Sequence, residues 1–344
     1  MSGTTNPEQR RDLLNALIGQ VRKREFPYEA RPPKSTDWSA YTTAQIHELD
    51  DVIRSIRLTV EAAARRFKKE RRGRGRPPTP AVDVAKAVLL QQYFGTANRQ
   101  TEGLLLLFKE KLGLSTEFSY KTIERAYGNP KVVALLDQLF ELTQDSIRQL
   151  ETGLGVDATG LPKSVKKNYA SQKTPDGAEM TQVSLGLTTL MLTRIVLLRG
   201  RGEVTTFPDA MRGAETYPNL GKVVGDAAYL SRPNCDLVEG LGATPYFFPK
   251  RGLSFKRLGS DAWIHMLGAF LQDPQGWLHE YHPRSLVECF NRVWKHDFPT
   301  PLARRLDGRR ATEVLARGID YNLKRAGYLR HLIGLVPTWW QGAG

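Results

Sequence analysis

Leu154-Gly155-Val156-Asp157-Ala158-Thr159-Gly160 marks the point where the chain changes character. Residues 79–150 repeat apolar positions at helical spacing, whereas from Gly153 onward the chain breaks into short apolar runs bounded by turn residues. Leu154 to Ala158, Gln182 to Leu190 and Thr193 to Arg199 read as strands. Asp209 to Tyr217 reads as a helix, Lys222 to Asp226 as a short buried strand, Arg232 to Leu241 as a helix and Thr244 to Phe248 as another strand. Helices over Asp261–Leu271, Arg284–His296 and Ala311–Arg325 follow. Three strands, helix, strand, helix, strand and then helices predict an α/β domain, a mixed sheet flanked by helices. No internal repeat is visible.

Upstream of that stretch the chain is helical. Leu13 to Arg24 reads as a short helix, and Thr43 to Glu70 as a longer one with Ile46, Leu49, Ile53, Ile56 and Val60 at helical spacing. The second ends in a strongly basic run: Arg65, Arg66, Lys68, Lys69, Arg71, Arg72, Arg74 and Arg76, with Glu70 the sole acid among them. Gly73-Arg74-Gly75-Arg76-Pro77-Pro78 stops the helix and predicts a hinge. Val82 to Leu89, Leu104 to Phe108, Ile123 to Tyr127 and Val132 to Leu150 then predict a helical module, with Ser119 as a candidate N-cap. Such a module suits either a helix-turn-helix or plain helical packing. The expected division is a basic helical region with hinge at 1–78, a helical module at 79–150, an α/β domain at 151–330 and a tail at 331–344.

Composition bounds the partners. Of 344 residues, 40% are hydrophobic and 25% charged, enough apolar material for a packed core and against global disorder. Lys and Arg number 50 against 36 acids, a formal charge of +14 that points to a polyanion such as nucleic acid. The longest apolar stretch, Val183 to Leu198, is interrupted by Arg194 and is too short and polar to span a bilayer. The opening MSGTTNPEQR lacks an apolar h-region, so no secretory signal is expected. Two cysteines, Cys235 and Cys289, make no disulfide framework, and a reducing cytoplasm is the expected location.

Three acids carry the candidate chemistry. Asp157 and Asp226 each follow an apolar strand, the second in Val223-Val224-Gly225-Asp226-Ala227-Ala228-Tyr229. Acids ending adjacent buried strands face one cleft, where burial is costly unless a cation neutralises them. Hard oxygen ligands suit Mg²⁺ or Mn²⁺. The third is Glu288, in Tyr281-His282-Pro283-Arg284-Ser285-Leu286-Val287-Glu288-Cys289-Phe290-Asn291-Arg292-Val293-Trp294-Lys295. Steps of 3, 4 and 7 positions keep Tyr281, Arg284, Glu288 and Lys295 near one helical stripe. Leu286, Val287, Phe290, Val293 and Trp294 occupy the other side and predict a face for the sheet. The polar stripe offers a metal ligand, two cations and a phenol, a set suited to a phosphodiester beside a metal ion.

Tyr281-x2-Arg284-x3-Glu288-x6-Lys295 resembles the Tyr-Arg-Glu-Lys signature of bacterial insertion-sequence DDE transposases of the insertion-sequence-4 and -5 type. Asp157 and Asp226 match that family's first two acids, and Lys222 to Tyr229 looks like its second block. The resemblance runs from about Gly73 to Arg325. It implies an RNase H-like catalytic domain that cuts and rejoins transposon ends, and a homodimer bridging two DNA ends. It also implies two divalent ions, Mg²⁺ or Mn²⁺, held by Asp157, Asp226 and Glu288 roughly 3.5–4 Å apart. Arg284, Lys295 and Tyr281 would then contact DNA near the cut. Larger relatives carry a long β-rich insertion between the second Asp and the Glu; the short interval from Asp226 to Glu288 leaves room for a minimal one.

Further basic residues suit a DNA backbone. Arg74-Gly75-Arg76-Pro77 resembles the core of an AT-hook, which lays arginines in a narrow minor groove; a flexible linker is the plain alternative. Lys163, Lys166, Lys167 and Lys173 line a DNA channel or a solvated hairpin, and Arg304, Arg305, Arg309 and Arg310 carry the same two readings. Asp176, Asp209, Asp236 and Asp320 lack a preceding buried strand and read as solvated or structural. His279-Glu280-Tyr281-His282 has the wrong spacing for a two-histidine zinc helix, and no phosphate loop ending in Lys-Ser/Thr is present. The expected activity is divalent-metal-dependent cleavage and joining of double-stranded DNA at terminal inverted repeats and target, by a nucleoid-associated cytoplasmic protein. A domesticated non-catalytic DNA-binding protein and an RNase H-like nuclease without joining activity are the alternatives.

Overall fold

The computed structural model describes residues 6–32, 35–67, 78–164, 177–298 and 300–341. Among the described residues seven helices come first: α1 (Pro7–Lys23), α2 (Trp38–Arg65), α3 (Ala81–Phe94), α4 (Asn98–Leu107), α5 (Lys109–Leu112), α6 (Tyr120–Ala126) and α7 (Pro130–Gln144). Strands β1 (Gly153–Pro162), β2 (Ala178–Gly186) and β3 (Leu192–Leu197) lead to α8 (Glu203–Ala210), β4 (Lys222–Gly225), α9 (Arg232–Gly240) and β5 (Thr244–Phe247). Helices α10 (Asp261–Gln272), α11 (Pro274–Tyr281), α12 (Ser285–Asp297) and α13 (Asp307–Ile333) complete the order.

The five strands form one sheet in the order β3-β2-β1-β4-β5. β2 and β3 run antiparallel, while β1, β4 and β5 run parallel. A mixed sheet of this order, flanked by helices and preceded by a helical region, is the architecture the sequence predicted and is consistent with the RNase H-like fold that the resemblance implies. The helices begin where short polar side chains close the first turn. Asn129 accepts from the Lys131 amide (3.0 Å), Ser260 from Trp263 (3.1 Å) and Asp273 from Gly276 (2.9 Å).

The described residues fall in two compact units, each discontinuous in sequence. One comprises the described residues within Met1–Ser35, Gln149–Thr159 and Met180–Asn291; the other those within Thr36–Arg148, Gly160–Glu179 and Arg292–Gly344. In the first, Val156, Val183, Leu185, Val223, Val224 and Phe247 are fully buried in the sheet. In the second, α13 packs on α2, α3 and α7. Its interior includes the Arg317–Glu313 ion pair at 3.2 Å, with Gln92 accepting from Arg317 at 3.0 Å.

Several expectations shift. The helix expected over Asp209–Tyr217 is α8, which starts at Glu203 and ends at Ala210, because Thr205 and Thr206 bond back to the Gly202 carbonyl and begin the helix there. In α2, Ile46 and Leu49 are exposed, and the buried stripe runs through Val52, Ile53, Ile56 and Val60. Strand β2 stops at Gly186, where the Gly186 amide donates to the Met191 carbonyl (2.9 Å) and the chain reverses into β3. Helix α11 was not foreseen; Pro274 and Asp273 start it just after α10. Between Asp226 and Glu288 lie α9, β5, α10 and α11, a largely helical segment.

Candidate active site

Register sets the first two acids. Gly153, Leu154, Gly155 and Val156 of β1 pair in parallel with Lys222, Val223, Val224 and Gly225 of β4. The next residues on the two strands are Asp157 and Asp226. They stand level, one step past the ladder, on neighbouring strands that lie about 4.8 Å apart. Asp157 is therefore at the end of the parallel ladder, while β1 itself continues to Pro162, a correction to the expectation that it ends the strand. Asp226 keeps an extended backbone and caps the 3-10 turn Ala227–Tyr229, its Oδ1 accepting from the Ala228 amide at 2.7 Å. Gly225 precedes it because a Cβ there would stand 2.9 Å from the Tyr229 ring and 3.2 Å from Phe247.

The third acid arrives on α12. Side chains alternate along a strand, so Gly155 and Asp157 share one face of β1. A Cβ on Gly155 would overlap Val287 of α12 and crowd Leu187, so glycine lets the helix lie directly on the strand. Two strand residues advance about 6.6 Å and four helical residues about 6 Å. Val287 over Gly155 thus brings Asn291 over Asp157, and the Asn291 Nδ2 donates to Asp157 Oδ2 at 2.9 Å. Val287, Phe290 and Trp294 are buried as expected of the apolar face, whereas Val293 is 44% exposed. The helix turns Val293 away from the buried stripe formed by 287, 290, 291 and 294.

Tyr281, Arg284 and Glu288 stay close across the start of α12. Tyr281 is the last residue of α11, and His282–Arg284 form a 3-10 turn that carries the helical path through Pro283. Tyr281 stacks on Trp277 (5.2 Å between centroids) and meets Phe248 (5.6 Å), which fixes its ring. The Arg284 guanidinium lies 5.7 Å from that ring and donates to Glu288 Oε1 at 2.7 Å. Lys222 and Arg31 bind the two oxygens of Glu280 at 2.7 and 2.6 Å, tying α11 to the first residue of β4. Burial opposes ionisation of Glu280, but these two cations outweigh it and hold its carboxyl below the ordinary range.

Electrostatics couple the same groups. Burial pushes the Asp157 carboxyl up to about 6; the Ala158 amide and Arg284 oppose the rise, while Asp226 and Glu288 add to it. Burial likewise raises the Tyr281 phenol. Burial works against the charge on Arg284, but Tyr281, Glu288 and Asp157 outweigh it and keep the guanidinium protonated. Three negative groups and one cation therefore share a field. Among the described residues no three acid, histidine or cysteine side chains stand together as a ready metal cage. Each acid already has a partner: Asn291 for Asp157, the Ala228 amide for Asp226, and Arg284 for Glu288, whose side chain is 52% exposed. The donor chemistry fits a hard divalent cation: two partly buried carboxylates level on a sheet, and a third on the helix that covers them, paired with Arg284.

Other expected residues fall elsewhere. Lys295 lies in α12, seven positions after Glu288, and is exposed. Arg74, Arg76, Lys166, Lys167, Lys173 and Asp176 lie outside the described residues. Lys163 begins a segment paired with the loop before α13: the Ser164 amide donates to Leu302 O (2.9 Å) and Leu302 to Pro162 O (2.8 Å). In that loop's basic cluster, Arg304 sits 3.9 Å from the Tyr127 ring centre and binds Gln91 and Asn98, and Arg310 binds Glu179 at 2.6 Å. Those two hold the helical unit together, while Arg305 is exposed. Asp209 pairs with Arg201 and Arg212, and Asp236 accepts from Ser260 at 2.6 Å. Asp320 is fully buried, and burial raises its carboxyl well above the ordinary range. Asn291 was missed by sequence reasoning; its signal is a polar residue inside the apolar stripe of α12.

No helix among the described residues is long and apolar enough to cross a membrane. No family model matches the chain, and no solved structure matches it. Among curated proteins it is 27% identical over 330 residues to the probable transposase for insertion sequence element ISA1214 of Archaeoglobus fulgidus, a match covering 91% of this chain and 94% of that relative. A likeness spanning nine-tenths of both chains supports reading this one as an insertion-sequence transposase.

Proposed function

We propose that this chain is a DDE transposase that cuts DNA at the ends of its element and joins them to a target by in-line phosphoryl transfer. Asp157, Asp226 and Glu288 carry the chemistry in this reading. The observation that supports it most is the register of β1 against β4, with Asp157 and Asp226 level beneath the helix that bears Glu288. Divalent ions held by these three acids, Mg²⁺ or Mn²⁺ and two in number, would supply Lewis acidity to the attacking and leaving oxygens.

The protein's own groups do the positioning. Asp226, anchored on the Ala228 amide, and Asp157, held by Asn291, present oxygens already fixed in direction. Arg284 neutralises Glu288 while no DNA is bound. When a phosphate arrives, the guanidinium turns to its non-bridging oxygens and Glu288 swings toward the other two acids. Tyr281, wedged on Trp277, limits how far Arg284 can move. Lys295 grips a neighbouring phosphate. The attacking group is water in the cut, which frees a DNA 3′-hydroxyl, and then that hydroxyl in the joining step. Each step breaks one phosphorus–oxygen bond as it forms another, and no protein nucleophile is required.

Arg74, Arg76, Lys166 and Lys167 supply further phosphate contacts in this account, and two copies bridge the two ends. The net charge of +14 favours such a partner. The test incubates purified protein with its own element's ends, target DNA and Mg²⁺, and maps nicks and junctions. Nicks at the end boundary followed by end–target junctions are expected. Cuts without junctions would instead identify a nuclease, and binding without cuts a non-catalytic DNA-binding protein.

A further inference from the structure

Asn291 occupies an unusual place. It is 6% exposed, on the same buried stripe of α12 as Val287, which lies on Gly155 of the sheet, Phe290 and Trp294. Position 291 is one helical turn beyond Val287, so an aliphatic side chain there would extend the apolar face. Its Nδ2 donates to Asp157 Oδ2 across 134 positions of sequence, at 2.9 Å. Its Oδ1 is buried and accepts no hydrogen bond. A buried acceptor left without a donor is destabilising. An asparagine kept for packing alone would have both ends of its amide satisfied, or would be replaced by leucine.

We propose that Asn291 is a positioning residue of the acidic site, fixing the Asp157 carboxylate so that its remaining lone pairs face the divalent ion. This rests on the transposase reading above. The N–H donor occupies one side of Oδ2, and the Ala228 amide does the same for Oδ1 of Asp226. Both ladder-end acids are then held by a neighbouring N–H group. Outer hydrogen bonds of this type orient metal ligands, and losing one typically costs 10–100-fold in metal affinity or activity. Glu288 is instead held by a side-chain cation, Arg284, which fits it as the mobile third ligand.

The experiment compares full-length wild type, Asn291→Ala and Asn291→Leu in three measurements: Mn²⁺ affinity from the electron paramagnetic resonance of free Mn²⁺, Tm, and DNA cleavage. Asn291→Leu fills the apolar stripe and keeps the fold measurable should Asn291→Ala unfold. The expected result is a Leu variant with Tm at or above wild type, Mn²⁺ affinity down about 10–100-fold, and a loss in kcat with KM for DNA unchanged. Mn²⁺ affinity of Asn291→Leu within twofold of wild type overturns the positioning role while leaving the functional reading intact. A wild type that takes up no Mn²⁺ at all overturns both.

Discussion

Asp157 and Asp226 stand side by side because the β1–β4 ladder ends at the Val156–Gly225 pair, one residue before each. A parallel ladder fixes that relationship through backbone bonds alone. Side chains at the same register point to the same face, here the face covered by α12. Neither acid depends on a flexible loop for its place, which suits groups that must hold charge in a fixed geometry.

Gly155 is the closest approach of helix and strand. Gly155→Ala places a methyl against Val287 and Leu187, and α12 must lift to receive it. Overpacking of this kind costs about 1–3 kcal/mol. The expected outcome is a Tm several degrees below wild type together with weakened cleavage, because Glu288 and Asn291 move with the helix. Calorimetry and the cleavage assay check both.

The Asp157 carboxyl, raised to about 6 by burial, makes stability depend on pH in a definite direction. Below about pH 4 the group is protonated in the folded and unfolded states alike. As pH rises toward 6 the unfolded chain has released its proton while the folded protein still holds one, so stability falls across that window and the loss is complete above it. Asp157→Asn has no such proton. In the presence of a chelator, its Tm advantage over wild type should grow between pH 4 and 7, and thermal melts at stepped pH measure it. An advantage that shrinks with rising pH would contradict the burial of this carboxyl.

Arg284 pairs with Glu288 at the start of α12, where the carboxylate is half-exposed, and pairs open to solvent contribute about 0–1 kcal/mol. Arg284→Gln should leave Tm nearly unchanged. Cleavage should drop by about 10²-fold, through loss of a cation at the charge that develops on the phosphate. Equal cleavage by wild type and variant would show that Arg284 serves Glu288 alone.

Lys295 is exposed and two turns from Glu288. As a phosphate contact, Lys295→Ala should weaken binding to all duplex sequences alike and reduce the slope of log K against log salt by about 0.9. Binding titrations at stepped salt read that slope. An unchanged slope would remove Lys295 from the interface.

The strands and most helices were legible because period-2 and helical patterns are local. Lys222–Gly225, Thr244–Phe247 and Arg232–Gly240 stand within a residue of where the apolar runs place them. What failed was non-local. Ile46 fits a helical stripe by spacing, yet only the half of α2 from Val52 onward is continuously covered. The α8 start is the local exception, since it depends on threonine hydroxyls folding back to Gly202, three and four residues earlier. Within the site, the acids and Arg284 were visible as residue types at telling spacing. Asn291 was not, since a polar residue in an apolar stripe acquires meaning only when the strand beneath it is known. Likewise Lys222 reads as a strand residue until Glu280 and Arg31 are seen around it.

The central claim is that Asp157, Asp226 and Glu288 act together on a DNA phosphate. The direct measurement is Mg²⁺-dependent cleavage of the element's ends by Asp157→Asn, Asp226→Asn and Glu288→Gln, with DNA binding measured in parallel. The account predicts that each variant binds the ends as wild type does while cleavage falls below detection, a loss of about 10³-fold or more. Cleavage at the wild-type rate by any one of the three, with its binding intact, would contradict it.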